Sequence, residues 1–222
     1  MKKPAVAIAL VAVLVAAVVG SLSLLNRSPK QSTGTSTSTA SSKAPPSADV
    51  VATDSHRLQK SPDGSPVLVE FLDFECEGCR EAYSFVEQLR EDYKGKVTFV
   101  IRYFPMPGHR NAMNAALAVE AAAQQGKLQQ MYSTMYERQA QWGEKQTSQA
   151  AVFRGYAKEL GLDMAAYDKA VAGPSTKARV QKDRQAGVKA GVDGTPTFFL
   201  DGRRVSVDST EAFRSLIDDA LK

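Results

Sequence analysis

Residues 67–79 read VLVEFLDFECEGC, an apolar run that ends in two cysteines three positions apart. Val67 to Phe74 is rich in β-branched and aromatic residues and follows the turn-like Pro62-Asp63-Gly64, the pattern of a mostly buried strand. Beyond the cysteines, Ala82, Phe85, Val86, Leu89 and Tyr93 recur at helical spacing, and Lys94-Gly95-Lys96 ends that helix. Val97 to Tyr103, VTFVIRY, is a second strand. The order β-α-β with a crossover of this length implies parallel strands joined by a right-handed connection.

Outward from this unit the chain stays regular. Asn111 to Gln125 is Ala-rich and suited to close helix packing. Leu128, Met131, Tyr132, Met135 and Tyr136 form a second apolar stripe, and Phe153, Tyr156, Ala157 and Leu160 a third. Met164 to Val171 follows Asp163, an expected N-cap. Thr197 to Leu200, the Asp201-Gly202 turn and Val205 to Val207 read as a hairpin. Asp208, with Glu211 three residues later, is the expected cap of a last helix bearing Phe213, Leu216, Ile217 and Leu221. The predicted fold is α/β: β-α-β, about four helices, then β-β-α.

Composition bounds the function. Of 222 residues, 28 are Lys or Arg and 24 are Asp or Glu, for a net charge of +4. Lys2 and Lys3 precede a 22-residue uncharged run, Pro4 to Leu25, so the remainder carries 26 basic against 24 acidic residues and no footprint for nucleic acid. At about 1.5 Å per residue the run spans roughly 33 Å, enough to cross a bilayer. Residues 1–25 are therefore expected to be a signal anchor in the lipid bilayer, single-pass, with the N-terminus cytoplasmic and the bulk of the chain outside. A cleaved signal peptide and a secreted domain are the competing reading, disfavoured because Val18-Val19-Gly20 is a poor cleavage site and Leu22, Leu24 and Leu25 prolong the run. Residues 26–60 read as a disordered linker, since nine of the eleven residues from Ser32 to Ser42 are Ser or Thr and Ala44-Pro45-Pro46 follows. The folded domain is then expected over 61–222, as a monomer.

The only cysteines are Cys76 and Cys79, and the only histidines are His56 and His109. That supply makes a closed tetrahedral zinc site unpromising, and neither a metal nor a bound cofactor is expected. Two cysteines at i and i+3, after a strand and at the first turn of a helix, can close a disulfide without moving the backbone. The helix N-terminus also favours a thiolate at the first of them. Cys76 is then the exposed attacking thiol and Cys79 the buried resolving one, and the chemistry is thiol–disulfide exchange. An inert structural disulfide and half of a metal site are the alternatives for a bare Cys-x-x-Cys. Gly194-Thr195-Pro196-Thr197 opens the late hairpin, and a proline before a strand that must pair suggests a fixed turn, with a cis bond as one form of it.

Three segments, VLVEFLDFECEGC, HRNAMNAALAVEAAAQQGKL and GVDGTPTFFLDGRRV, resemble the thioredoxin-fold family, and within it the DsbA-like thiol:disulfide oxidoreductases of bacterial envelopes. The resemblance covers about Pro66 to Leu221. It implies that Pro196 is cis and faces the cysteines, that the backbone of Thr195 pairs with an extended substrate, and that residues of about 104–193 form a helical insertion over the active site. It also implies a buried carboxylate beneath the second cysteine, a place that Glu70 fills, with Asp73 a weaker candidate; such an acid would relay the Cys79 proton, and a satisfied carboxylate at a sheet edge is the alternative for Glu70. The chain departs from the family between the cysteines. Strong oxidases often carry Pro-His there, whereas this chain has Glu77-Gly78 with Glu75 just before. Two carboxylates near Cys76, opposed only by Arg80, are expected to raise its pKa and make a weaker oxidant. His109 is expected to be a helix-start histidine, with a place near the site as the alternative, and Trp142 to pack a loop or rim the groove.

The function implied is a dithiol oxidase acting on reduced exported proteins, reoxidised by a quinone-coupled membrane enzyme of the DsbB or vitamin K epoxide reductase (VKOR) type. A tethered reductase or isomerase, and a non-catalytic peptide-binding domain with a structural disulfide, are the alternatives.

Overall fold

The computed structural model describes residues 50–222; the expected anchor and residues 26–49 of the linker lie outside the described residues. The β-α-β unit is present as read. Strand β2 (Val67–Leu72) leads into helix α1 (Glu77–Asp92) and strand β3 (Thr98–Tyr103), and β2 pairs parallel with β3. Strand β4 (Thr197–Leu200) lies antiparallel on the other side of β2, and with β1 (His56–Gln59) and β5 (Arg203–Arg204) at the edges β2 runs through the middle of a five-stranded sheet of order β1-β3-β2-β4-β5.

Alternation along β2 decides what lies beneath the cysteines. Leu68 and Leu72 point to the face that packs with Cys79 and Leu89 of α1. Val69 and Phe71 point to the opposite face, with Val100, Phe104 and Phe199. A strand period of two puts Glu70 on the face of Leu68 and Leu72, toward α1 and the cysteine pair.

Between β3 and β4 run α2 (Ala112–Ala123), α3 (Leu128–Glu137), the short α4 (Gln139–Trp142), α5 (Ala150–Glu159), α6 (Met164–Ala172) and α7 (Pro174–Lys189). Asp163 caps α6, its Oδ1 accepting the Ala166 N–H at 2.9 Å. The sequence reading did not single out α7. Its buried positions, Thr176, Val180, Asp183 and Gly187, do follow helical spacing, but only Val180 is aliphatic, so no apolar stripe marks the helix. Gly187 is required by packing: a Cβ there would stand 2.6 Å from the Phe104 ring. Asp183 receives the buried Arg102 guanidinium at 2.6 Å, and Arg102 also donates to the Val50 carbonyl at 2.8 Å.

Three expected boundaries change. Strand β1 (His56–Gln59) pairs antiparallel with β3, and Val50 is fully buried, so the folded domain reaches back at least to residue 50 and the linker does not extend to residue 60. Only Leu58 is buried within β1, too little to read as a strand. The second hairpin strand, β5, is Arg203–Arg204 rather than Val205 to Val207. Ser209, not Asp208, caps the last helix, α8 (Thr210–Ala220), its Oγ accepting the Ala212 N–H at 3.1 Å.

Candidate active site

Cys76 is the N-cap of α1, with extended backbone angles, and both cysteines are free thiols. The first helical turn buries Cys79 completely and leaves Cys76 half-exposed. This asymmetry sets their ionisation. The Cys79 thiol bonding to the Cys76 sulfur, the Thr195 side chain, and the backbone N–H groups of Cys79 and Gly78 together outweigh burial and hold the Cys76 pKa down at about 5. Burial, the bond to Cys76 and the nearby Glu70 push Cys79 well above the ordinary thiol range.

The expectation that Glu75 and Glu77 raise the Cys76 pKa is therefore corrected. Glu75 is buried, but its carboxylate turns away into the helical insertion, accepting the Asn111 N–H at 2.5 Å and the Glu144 N–H at 3.2 Å. Glu77 and Arg80 stay exposed on the first turns of α1, where solvent screens them. Hydrogen bonds to the sulfur, made by local backbone and by residues 3 and 119 positions away, outweigh the two formal charges.

The late proline loop arrives where the resemblance placed it. The Thr195-Pro196 peptide is cis, and as a thiol Cys76 donates to the Thr195 carbonyl at 3.2 Å. The Thr195 hydroxyl is buried with no other hydrogen-bond partner, which leaves it free to donate to the sulfur once Cys76 ionises. Gly78 packs against this loop without being required by it: a Cβ there would sit in ordinary contact, 3.4 Å from Pro196 Cδ and 3.7 Å from the Thr195 oxygen.

Glu70 and Asp73 separate cleanly. Glu70 lies on a central strand, is buried, and has one oxygen, Oε2, without a partner. Burial, with Glu87 and Cys76 adding negative charge, raises its pKa to about 8, so it is protonated at neutral pH and able to exchange a proton beneath Cys79. Burial also raises Asp73, but its oxygens are engaged: they accept the Glu75 N–H at 2.8 Å, the Met106 N–H at 2.9 Å and His109 Nδ1 at 2.7 Å.

His109 stands beside the site instead of merely starting a helix, lining with Cys76 a cleft of ≈ 310 Å³. Trp142 is fully buried against Phe153, with ring centroids 4.8 Å apart, so it packs the interior and does not rim a groove. Sequence reasoning missed Gln139, whose buried amide donates to the Phe74 and Cys76 carbonyls at 2.7 and 2.9 Å and ties the insertion to the cysteine loop. A glutamine on a four-residue helix gives no signal that would have found it. On the Pro196 side, Phe85, Phe198, Val205 and Phe213 line a groove of ≈ 810 Å³ able to receive an apolar peptide segment.

Comparisons with known proteins agree with this geometry. A thioredoxin family model matches residues 54–219. The chain is 34% identical over 143 residues to the Na(+)/H(+) antiporter NhaA of Herminiimonas arsenicoxydans, covering 64% of this chain and 22% of the antiporter. It is 36% identical over 147 residues to antiporter NhaA 3 of Salinispora tropica, again 22% of that protein. The chain thus spans less than a quarter of these curated relatives. Among solved structures, α-DsbA1 of Wolbachia pipientis superposes with a TM-score of 0.68 at 15% identity, covering 78% of this chain and 93% of that one. A thioredoxin-like oxidoreductase from Silicibacter pomeroyi gives 0.63 at 26% identity over 76% and 93%. BdbD of Bacillus subtilis gives 0.66 at 19% over 75% and 92%. This chain belongs to the thioredoxin family, and its structural neighbours include the DsbA-type thiol–disulfide oxidoreductases.

Proposed function

We propose that the protein is an extracytoplasmic dithiol oxidase, held at the membrane by residues 4–25, that introduces disulfides into reduced exported proteins. The observation that carries this reading is the unequal pair: a Cys76 thiolate held at a pKa of about 5 above a Cys79 thiol that resists ionisation. A stabilised thiolate favours the reduced pair, and a pair that favours its reduced form oxidises others.

The steps balance as follows. A substrate thiolate attacks the Cys76 sulfur of the oxidised pair, and the electrons of the Cys76–Cys79 bond leave on Cys79, which takes up a proton that Glu70 is placed to supply. A second substrate thiolate attacks the substrate sulfur of the mixed disulfide. Cys76 departs as a thiolate, stabilised by Cys79, Thr195 and the helix N–H groups. The substrate is oxidised by two electrons and the pair is reduced by two. Thr195 and Pro196 present a backbone edge for an extended substrate chain. Reoxidation falls to a quinone-coupled membrane enzyme of the DsbB or VKOR type.

The test is the relative stability of the full chain in its two redox states. The oxidase reading expects a higher denaturation midpoint for the reduced protein. A higher midpoint for the oxidised protein would identify a structural disulfide and end this reading.

A further inference from the structure

We propose that His109, oriented by Asp73, is the cationic partner of the Cys76 thiolate, delivered across the cleft by the loop that enters the helical insertion. The inference rests on Cys76 acting as the exchanging thiol. Between the cysteines, Glu77-Gly78 supplies no cation, so any positive charge facing the sulfur must come from elsewhere in the chain. The cleft of ≈ 310 Å³ beside Cys76 has His109 in its wall.

Several contacts fix the imidazole there. The Asp73 side chain is fully buried, and its Oδ2 accepts both His109 Nδ1, at 2.7 Å, and the Met106 N–H, at 2.9 Å. One carboxylate oxygen therefore positions the loop backbone and the ring together. With Nδ1–H given to Asp73, Nε2 is the nitrogen left over, on a ring that is 36% exposed. The other charged groups around His109 are Glu75, Glu77, Arg110 and Glu144 in the same cleft and Arg184 in the groove on its other side. Glu75 is occupied by the Asn111 and Glu144 amides, so it holds the insertion in place around the cleft that His109 and Cys76 share.

The protonation order suits the role. Although burial opposes it, the bond to Asp73 and the charges of Asp73, Cys76 and Glu75 raise the His109 pKa above the ordinary 6.5, while Cys76 ionises at about 5. The imidazolium is therefore already present when the thiolate forms. When the mixed disulfide is cleaved, the electron pair of its S–S bond passes to Cys76 Sγ, and the fixed charge stabilises it without a proton changing hands. Asp73 acts through His109 and is a positioning residue.

The experiment is a pH titration of thiolate ultraviolet absorbance in the reduced full chain, for the wild type, His109→Gln and His109→Lys. Cys79 stays protonated over the acid range, so the signal reports Cys76 alone. His109→Gln should raise the Cys76 midpoint by about 0.5 to 1 pH unit, roughly a three- to tenfold fall in the thiolate-to-thiol ratio at a given pH, and His109→Lys should restore most of it. By linkage, the His109 imidazole midpoint, followed by NMR, should fall by the same amount when the pair is oxidised and the sulfur can no longer carry charge. A His109→Gln midpoint unchanged from wild type, or equal displacement in both variants, would overturn the proposal. Glutathione exchange by the wild type is scored separately: its absence would count against the oxidoreductase reading, and the titration would still decide the role of His109.

Discussion

Three carboxylates within six residues enter the interior beside the cysteines, and they are treated in opposite ways. Beneath Cys79, Glu70 has a buried oxygen with no partner and holds its proton up to about pH 8. Beside Cys76, Asp73 and Glu75 accept five hydrogen bonds between them, from the amides of Glu75, Met106, Asn111 and Glu144 and from the His109 ring. The unpartnered acid is the one able to give and take a proton, whereas the satisfied ones fix the loop and the insertion around the sulfur. A buried carboxylate thus becomes a reagent or a brace according to the donors around it.

Substitutions should separate these roles. The largest effect belongs to the sulfurs: Cys76→Ser should reduce disulfide exchange to background, whereas Cys79→Ser should still be attacked by substrate and accumulate the mixed disulfide, visible as a thiol-sensitive covalent adduct. Glu70 comes next. Its folded pKa is raised, so its contribution to stability is fully present below the unfolded value and is lost as pH rises toward about 8. Glu70→Gln should therefore flatten that decline, gaining up to about 5 kcal/mol above pH 8 and about nothing near pH 4 in denaturant titrations, while slowing the step that protonates Cys79. Glu75→Ala should do the reverse, losing about 2 kcal/mol because the buried Asn111 N–H is left without an acceptor. The smallest shift is expected at Thr195→Val, which removes one donor and should raise the Cys76 titration midpoint by roughly half a pH unit with little change in stability. If Glu70→Gln destabilised the protein and Glu75→Ala did not, the division between reagent and brace would be reversed.

The sequence made legible those parts of the fold that repeat. Runs of β-branched and aromatic residues mark β2 and β3, helical spacing marks α1, α3 and α5, alanine richness α2, the Asp163 cap α6 and an apolar stripe α8, and the cysteine pair and the proline loop are marked by residue type. Once β2 is a strand, its period of two fixes which face Glu70 occupies. Helix α7 was hidden because an ion-paired Asp183 and a glycine take the places that leucines would have marked. Strand β1 was hidden because one buried leucine makes no alternation. At the site, Glu75, Gln139, Asp73 and His109 all act by bonding to backbone or to each other across 33 to 69 positions of chain, distances over which no local pattern survives. The Cys76 pKa departs from the expectation for a different reason: the Cys79 thiol and the N–H groups of Gly78 and Cys79 are local, and only the Thr195 hydroxyl is distant. Nearby charges can be counted from a sequence, but whether a thiol, a hydroxyl or an N–H bonds to the sulfur cannot.

The central claim, that this pair is poised to oxidise, is tested most directly by its reduction potential in glutathione buffers, measured on the full chain with Cys76→Ser as the blank. A Cys76 pKa of about 5 lies between the roughly 7 of thioredoxin and the roughly 3.5 of DsbA, so the potential should lie between about −270 and about −120 mV, on the oxidising side of the range. A value at or below about −270 mV would mean that the stabilised thiolate does not set the direction of exchange, and would contradict the account.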